Sequence, residues 1–128
     1  MKILVIDDDK ALRSVLSDMI RSIGFESLEV PAGHGALKAV RDGDFDVLLT
    51  DVIMPEVDGV ELVRAARAAK PGCAIIAMSG GSQALPAPIG LKLTEAFGAD
   101  AVLYKPFTRA DLAGAINAVC PNRPGDGA

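Results

Sequence analysis

Apolar and polar positions along the chain fall into two alternating patterns. Residues 2–7, "KILVID", form an unbroken apolar run that ends on a carboxylate. Such a run predicts a strand covered on both faces. Residues 10–23 instead place apolar side chains at Leu12, Val15, Leu16, Met19, Ile20 and Ile23. That is helical spacing, and Gly24 stops it. The alternation continues with a short strand at 26–30, a helix at 33–43 and a buried strand at 45–51. An amphipathic helix at 59–70 follows, broken by Lys70-Pro71-Gly72, then an apolar strand at 73–80. Residues 81–90, "GSQALPAPIG", read as a loop. A helix at 91–98, a strand at 100–104 and a helix at 108–120 complete the series, with Thr108 as N-cap and Asp111 three residues inside.

Five strands alternating with five helices predict an α/β fold, a doubly wound parallel sheet with helices on both faces. At 128 residues the chain fits one domain, expected over 1–120. The Pro/Gly-rich tail at 121–128 is expected to be disordered. With only eight residues there, no output domain is expected to follow.

Composition narrows the function classes. Half the residues are apolar, and the net charge is −4. An acidic surface argues against nucleic acid and anionic membranes as partners. The N-terminus has no signal-peptide pattern, and no apolar run approaches the roughly 20 residues of a membrane span. The expected location is the cytoplasm. Cys73 and Cys120 have no metal-like spacing and read as buried apolar residues.

In doubly wound sheets, ligands bind outside the carboxyl ends of the strands. Those ends carry Asp7 and Asp8, then Asp51, then Ser79, then Lys105. A lone Asp after a strand is most often a cap. Five polar groups from four strands are not explained as caps, since Ser79 and Lys105 cap nothing evident. Carboxylates at adjacent strand ends repel one another unless a cation sits among them. Hard oxygen donors in small number suit Mg²⁺, with Mn²⁺ as an alternative. Lys105 adds a mobile positive charge and Ser79 a hydroxyl. A ligand that meets a cation, an ammonium and a hydroxyl together is a phosphoryl group, and an Asp among them can act as its acceptor.

The motifs "VIDDD", "TDVIMPEVDG", "MSG" and "YKPF", in this order, resemble the receiver domain of bacterial response regulators over residues 2 to about 119. The resemblance implies the flavodoxin-like form of that sheet, order 2-1-3-4-5, and phosphotransfer onto Asp51 from a sensor histidine kinase or a phosphotransfer protein. It implies that Asp8, Asp51 and the carbonyl of Ile53 bind Mg²⁺ directly and that Asp7 acts through water. Ser79 and Lys105 would contact the phosphoryl group, and Lys105-Pro106 would be a cis peptide. Pro55 and Gly59 match the turn after the acceptor. Activity would be limited to the domain's own phosphorylation and dephosphorylation. A downstream protein would dock on the face of the fourth helix, fifth strand and fifth helix.

Three features depart from the family. Val102 stands where most receivers carry an aromatic switch residue, and the only Tyr, Tyr104, directly precedes Lys105. Tyr104 shares a face with Val102 and is a candidate for part of the switch role, against the plainer reading of a side chain filling the sheet edge. Ser79 is followed by Gly80-Gly81, and the Pro-rich segment 82–89 lengthens the path to Lys105. Ile53 offers no side chain to orient a hydrolytic water, which leaves the lifetime of the acyl phosphate open.

Other residues have plainer readings. His34 reads as a surface residue, and Asp58-Gly59 as a turn. Arg64, Arg67 and Lys70 read as a solvated basic stripe, and Met54 and Met78 as packing. Two other functions compete. A small Mg²⁺-dependent phosphohydrolase of the haloacid dehalogenase type would use Asp7 as nucleophile and Asp9 as acid. A degenerate receiver would only bind partners. Asp9 itself reads as a helix cap.

Overall fold

A computed structural model of the chain describes residues 1–7, 9–31, 34–51, 59–79, 99–104 and 107–119, with backbone alone at 34, 59, 60 and 79. Strand β1 (Lys2–Asp7) leads into helix α1 (Lys10–Ser22) and strand β2 (Glu26–Pro31). Helix α2 (His34–Asp42), strand β3 (Val47–Asp51), helix α3 (Gly59–Ala69) and strand β4 (Ala74–Ser79) follow. Strand β5 (Ala101–Tyr104) and helix α4 (Arg109–Val119) close the order. These bounds differ from the sequence expectation by a residue or two, as element ends do. The helix expected at 91–98 and the tail at 121–128 lie outside the described residues.

The strands form one sheet, all parallel as the patterning predicts, in the order β2-β1-β3-β4-β5 that the resemblance implies. Alternate residues of β1, β3, β4 and β5 feed two cores. Leu4, Ile6, Leu48, Ile75 and Ala77 pack with α2 and α3 through Val40, Leu62 and Ala66. Ile3, Val5, Leu49, Ile76 and Met78 pack with α1 and α4 through Leu16, Ile20, Leu112 and Ile116. Both faces of the central strands are therefore dry, which accounts for their unbroken apolar runs.

Local chemistry sets where the helices begin and end. Asp9 caps α1, its Oδ1 accepting the N–H groups of Ala11 at 3.0 Å and Leu12 at 3.2 Å. At the other end Gly24 takes φ +96°. Its N–H donates to the Arg21 carbonyl and the Phe25 N–H to that of Ile20, both at 3.1 Å. This is a Schellman turn, which requires the left-handed backbone that glycine adopts freely. Thr108 and Asp111 cap α4 reciprocally. Thr108 Oγ1 accepts the Asp111 N–H at 3.1 Å, and Asp111 Oδ2 accepts the Thr108 N–H at 2.9 Å.

The basic stripe of α3 is not simply solvated. Arg64 is exposed, but Arg67 donates Nη1 to the Cys73 carbonyl at 2.9 Å and Nη2 to Asp100 Oδ2 at 2.9 Å. Lys70 Nζ sits 5.3 Å from the centroid of the Phe45 ring, a cation–π contact. The stripe joins α3 to the starts of β4 and β5. Its spacing on the helix hid this, because the partners of Arg67 lie beyond the helix.

Candidate functional site

Parallel registry lines up the strand ends. Ile6 of β1 pairs with Thr50 of β3, so extending that register by one residue sets Asp7 beside Asp51. Asp51 in turn pairs with Met78, and Met78 with Leu103. Asp7 follows Ile3 and Val5 on alternate positions, and Asp51 follows Val47 and Leu49. Both carboxylates therefore belong to the α1/α4 face of the sheet. Neighbouring strands lie about 4.8 Å apart.

The two carboxylates are buried. Asp7 is 0% exposed and Asp51 7%. Met78, wholly buried, walls Asp51 on the β4 side. At an effective dielectric of about 20, two such charges about 5 Å apart repel by about 3 kcal/mol. A stability argument alone does not account for the pair. Asp7 Oδ1 accepts the Asp9 N–H at 2.9 Å, and Arg13 Nη1 donates to the Asp7 main-chain carbonyl at 2.7 Å. Thr50, also buried, donates its hydroxyl to the Asp51 carbonyl oxygen at 3.0 Å. The backbone at both strand ends is thus held by neighbouring side chains.

Two buried carboxylates converging on one sheet face are hard oxygen donors, a set that suits a divalent cation of the Mg²⁺ class. Among the described residues no three acidic, His or Cys side chains gather at one point. The third carboxylate of the expected set, Asp8, lies outside the described residues, as do Ile53, Lys105 and Pro106. Met54, Pro55, Asp58 and the Gly80-Gly81 pair also lie outside them. Ser79 ends β4 in register with Tyr104. Tyr104 is 42% exposed at the end of the edge strand β5. Val102, two residues earlier on the same face, packs into the α2/α3 core.

Asp9 is not part of this set. Its carboxylate is engaged by two N–H groups of α1. Its Oδ1 thus serves as the helix cap expected of it, a different role from the acid that the phosphohydrolase alternative assigns to Asp9. Arg13 carried no sequence signal as a site residue, because its partner is a main-chain carbonyl.

The sequence profile of the response regulator receiver domain matches residues 3–117. The chain belongs to the response regulator receiver domain family. Transcriptional regulatory protein CpxR of Escherichia coli (strain K12) is 36% identical to this receiver over 118 residues, 92% of the chain and 48% of CpxR. Cell cycle transcriptional regulator CtrA of Caulobacter vibrioides (strain NA1000 / CB15N) is 32% identical over 120 residues, 93% of the chain and 50% of CtrA. The receiver spans about half the length of these curated relatives.

Solved structures agree. Chemotaxis protein CheY4 of Vibrio cholerae superposes with a TM-score of 0.80 at 28% identity, covering 92% of this chain and 97% of CheY4. The receiver domain of sensor histidine kinase PA1611 from Pseudomonas aeruginosa PAO1 gives 0.78 at 27% identity, covering 94% and 98%. That structure holds a magnesium ion in its active-site cleft. No helix among the described residues of the present receiver is long and apolar enough to cross a membrane.

Proposed function

We propose that this receiver takes a phosphoryl group from the phosphohistidine of a sensor kinase or phosphotransfer protein onto Asp51. The observation that carries the assignment is the contrast in exposure at the paired strand ends. Asp51 keeps 7% of its surface open, whereas Asp7 keeps none. An incoming phosphorus atom can reach only a carboxylate that retains an open side. In the transfer, an Asp51 carboxylate oxygen bonds to phosphorus as the phosphorus–imidazole nitrogen bond breaks.

Asp7, Asp8, Asp51 and the Ile53 carbonyl would hold Mg²⁺, or Mn²⁺ in its place. The ion, when bound, neutralises charge on the transferring phosphoryl oxygens. Asp7 orients the segment that follows it through the Asp9 N–H. Ser79 and Lys105 supply a hydroxyl and an ammonium to the phosphoryl group, with a cis Lys105-Pro106 peptide aiming the latter. Turnover is confined to formation and loss of the domain's own acyl phosphate. Tyr104 and Val102 form the switch surface, and a downstream protein reads it across segment 91–98, β5 and α4. The acidic charge balance disfavours DNA and membrane surfaces for this domain, and a cytoplasmic location fits.

Incubation with Mg²⁺ and acetyl phosphate tests the assignment. Wild type acquires one acid-stable, base-labile phosphoryl group, and Asp51→Asn acquires none. Label that persists in Asp51→Asn would overturn the assignment.

A further inference from the structure

Helix α1 reaches back onto the strand end that precedes it. Arg13, at the close of its first turn, donates Nη1 to the Asp7 main-chain oxygen at 2.7 Å. The Arg13 N–H donates to the Asp9 carbonyl at 3.0 Å. The Asp7 carboxylate accepts the Asp9 N–H at 2.9 Å. These contacts interlock. The Asp7 carbonyl belongs to the peptide unit joining residues 7 and 8. The Asp9 N–H belongs to the unit joining residues 8 and 9. The guanidinium holds the first unit and a carboxylate holds the second. Bonds with a charged partner are about twice as strong as neutral ones. Arg13 is only partly buried, so its guanidinium keeps part of its hydration while it makes this bond.

We propose that Arg13 is a positioning residue of the cation site, a clamp that holds the main chain at Asp7 and at Asp9 before the metal arrives. The inference rests on reading Asp7 and Asp51 as part of a Mg²⁺ site. A preset backbone removes ordering that binding would otherwise require. Groups that orient metal ligands in this way typically change affinity by about 10–100-fold.

The test uses the full chain, titrated with MgCl₂ by calorimetry, and amide hydrogen exchange in metal-free buffer. Arg13→Ala weakens Mg²⁺ binding by about tenfold or more. It also speeds exchange of the Asp9 amide and leaves exchange at Leu49, in the centre of β3, unchanged. Arg13→Lys recovers part of the lost affinity, because one ammonium donor can replace a single Nη1 bond. The clamp is overturned if Arg13→Ala binds Mg²⁺ within about twofold of wild type, or if Arg13→Lys is no better than Arg13→Ala. It is also overturned if Asp9 and Leu49 exchange accelerate together, since that marks global loosening. Failure of wild type itself to bind Mg²⁺, with Asp9 exchange still accelerated in Arg13→Ala, would sink the cation reading and leave a structural clamp in its place.

Discussion

At the amino ends of the strands, Asp46 and Asp100 stand exposed and are tied to main-chain donors. At the carboxyl ends, Asp7 and Asp51 are buried side by side. Asp46 Oδ2 accepts the Lys2 N–H at 2.8 Å, while its own N–H donates to the Lys2 carbonyl. Asp100 Oδ2 accepts the Ile75 N–H at 2.8 Å and Arg67 Nη2 at 2.9 Å. Those carboxylates complete ladders where strands begin, and water still solvates them, so they stabilise the fold at small desolvation cost. The pair at the other end suffers burial and mutual repulsion. One side chain type thus serves stability at one end of the sheet and ligand chemistry at the other, and its surroundings decide which.

The contrast is broken most severely at Asp7. Asp7→Asn keeps an acceptor for the Asp9 N–H and removes one buried charge. Labelling of Asp51 by acetyl phosphate should fall by about a hundredfold or more, as when one electrostatic group is lost from such a site. The melting temperature in metal-free buffer should not fall, because the repulsion is relieved. A lower melting temperature would mean that the Asp7 charge stabilises the fold, and the two ends would no longer differ in kind.

Asp100→Ala reverses the roles. It strands the Ile75 N–H and takes the carboxylate partner from Arg67 Nη2, so unfolding should become easier by about 2 kcal/mol. For a chain of this size, that lowers the melting temperature by about 6 °C. Asp51 labelling in the folded protein should match wild type. Reduced labelling at a temperature where both proteins are folded would show that the amino end couples to the site.

Legibility in the sequence followed the range of the interactions. The two-faced burial of β1, β3 and β4 could be read, because period and apolarity are local properties of each segment, whereas the strand order, which is settled between segments, came with the family resemblance. Asp7 and Asp51 could be singled out because the fold's topology sends strand ends to one place. Thr108, Asp111 and Asp9 could be read as caps, since a cap and its N–H partners lie within three residues. Arg67 and Asp100 are 33 residues apart, and no local pattern joins them. Arg13 reaches a carbonyl, which every residue carries, so no residue type announces the contact.

The amino end also holds a titrating probe. Cys73 lies buried beneath the Arg67–Asp100 pair. Burial pushes its thiol above the ordinary value of 9.0, opposed in part by the Arg67 charge. The folded state therefore holds the proton more tightly than the unfolded chain does. The resulting stabilisation is complete below pH 9.0 and is lost as pH rises through the higher folded-state value. Urea melts of wild type and Cys73→Ala should converge as pH is raised above 9.0. In a Cys120→Ser background, alkylation of Cys73 at pH 8 should be slow and should accelerate with added urea. Rapid alkylation in the folded state would place the thiol outside the core.

Asp9 gives the smallest effect and the sharpest boundary, because it stands two residues from Asp7 and belongs to the other class. Its Oδ1 bonds to Ala11 and Leu12, like the bonds of Asp46 and Asp100 to main-chain donors. Asn caps helices about as well as Asp, so Asp9→Asn should change stability by less than about 0.5 kcal/mol, while Asp9→Ala costs about 1 kcal/mol. Neither should alter Asp51 labelling by more than about twofold when measured on folded protein, since the Asp9 N–H that binds Asp7 is main chain and survives both changes. The Asp9→Asn variant carries the weight, because it holds the cap constant and removes only the charge. A large loss of labelling in that variant would move Asp9 from the capping class to the chemical one, and the line between the two uses of aspartate would have to be redrawn within a single turn of chain.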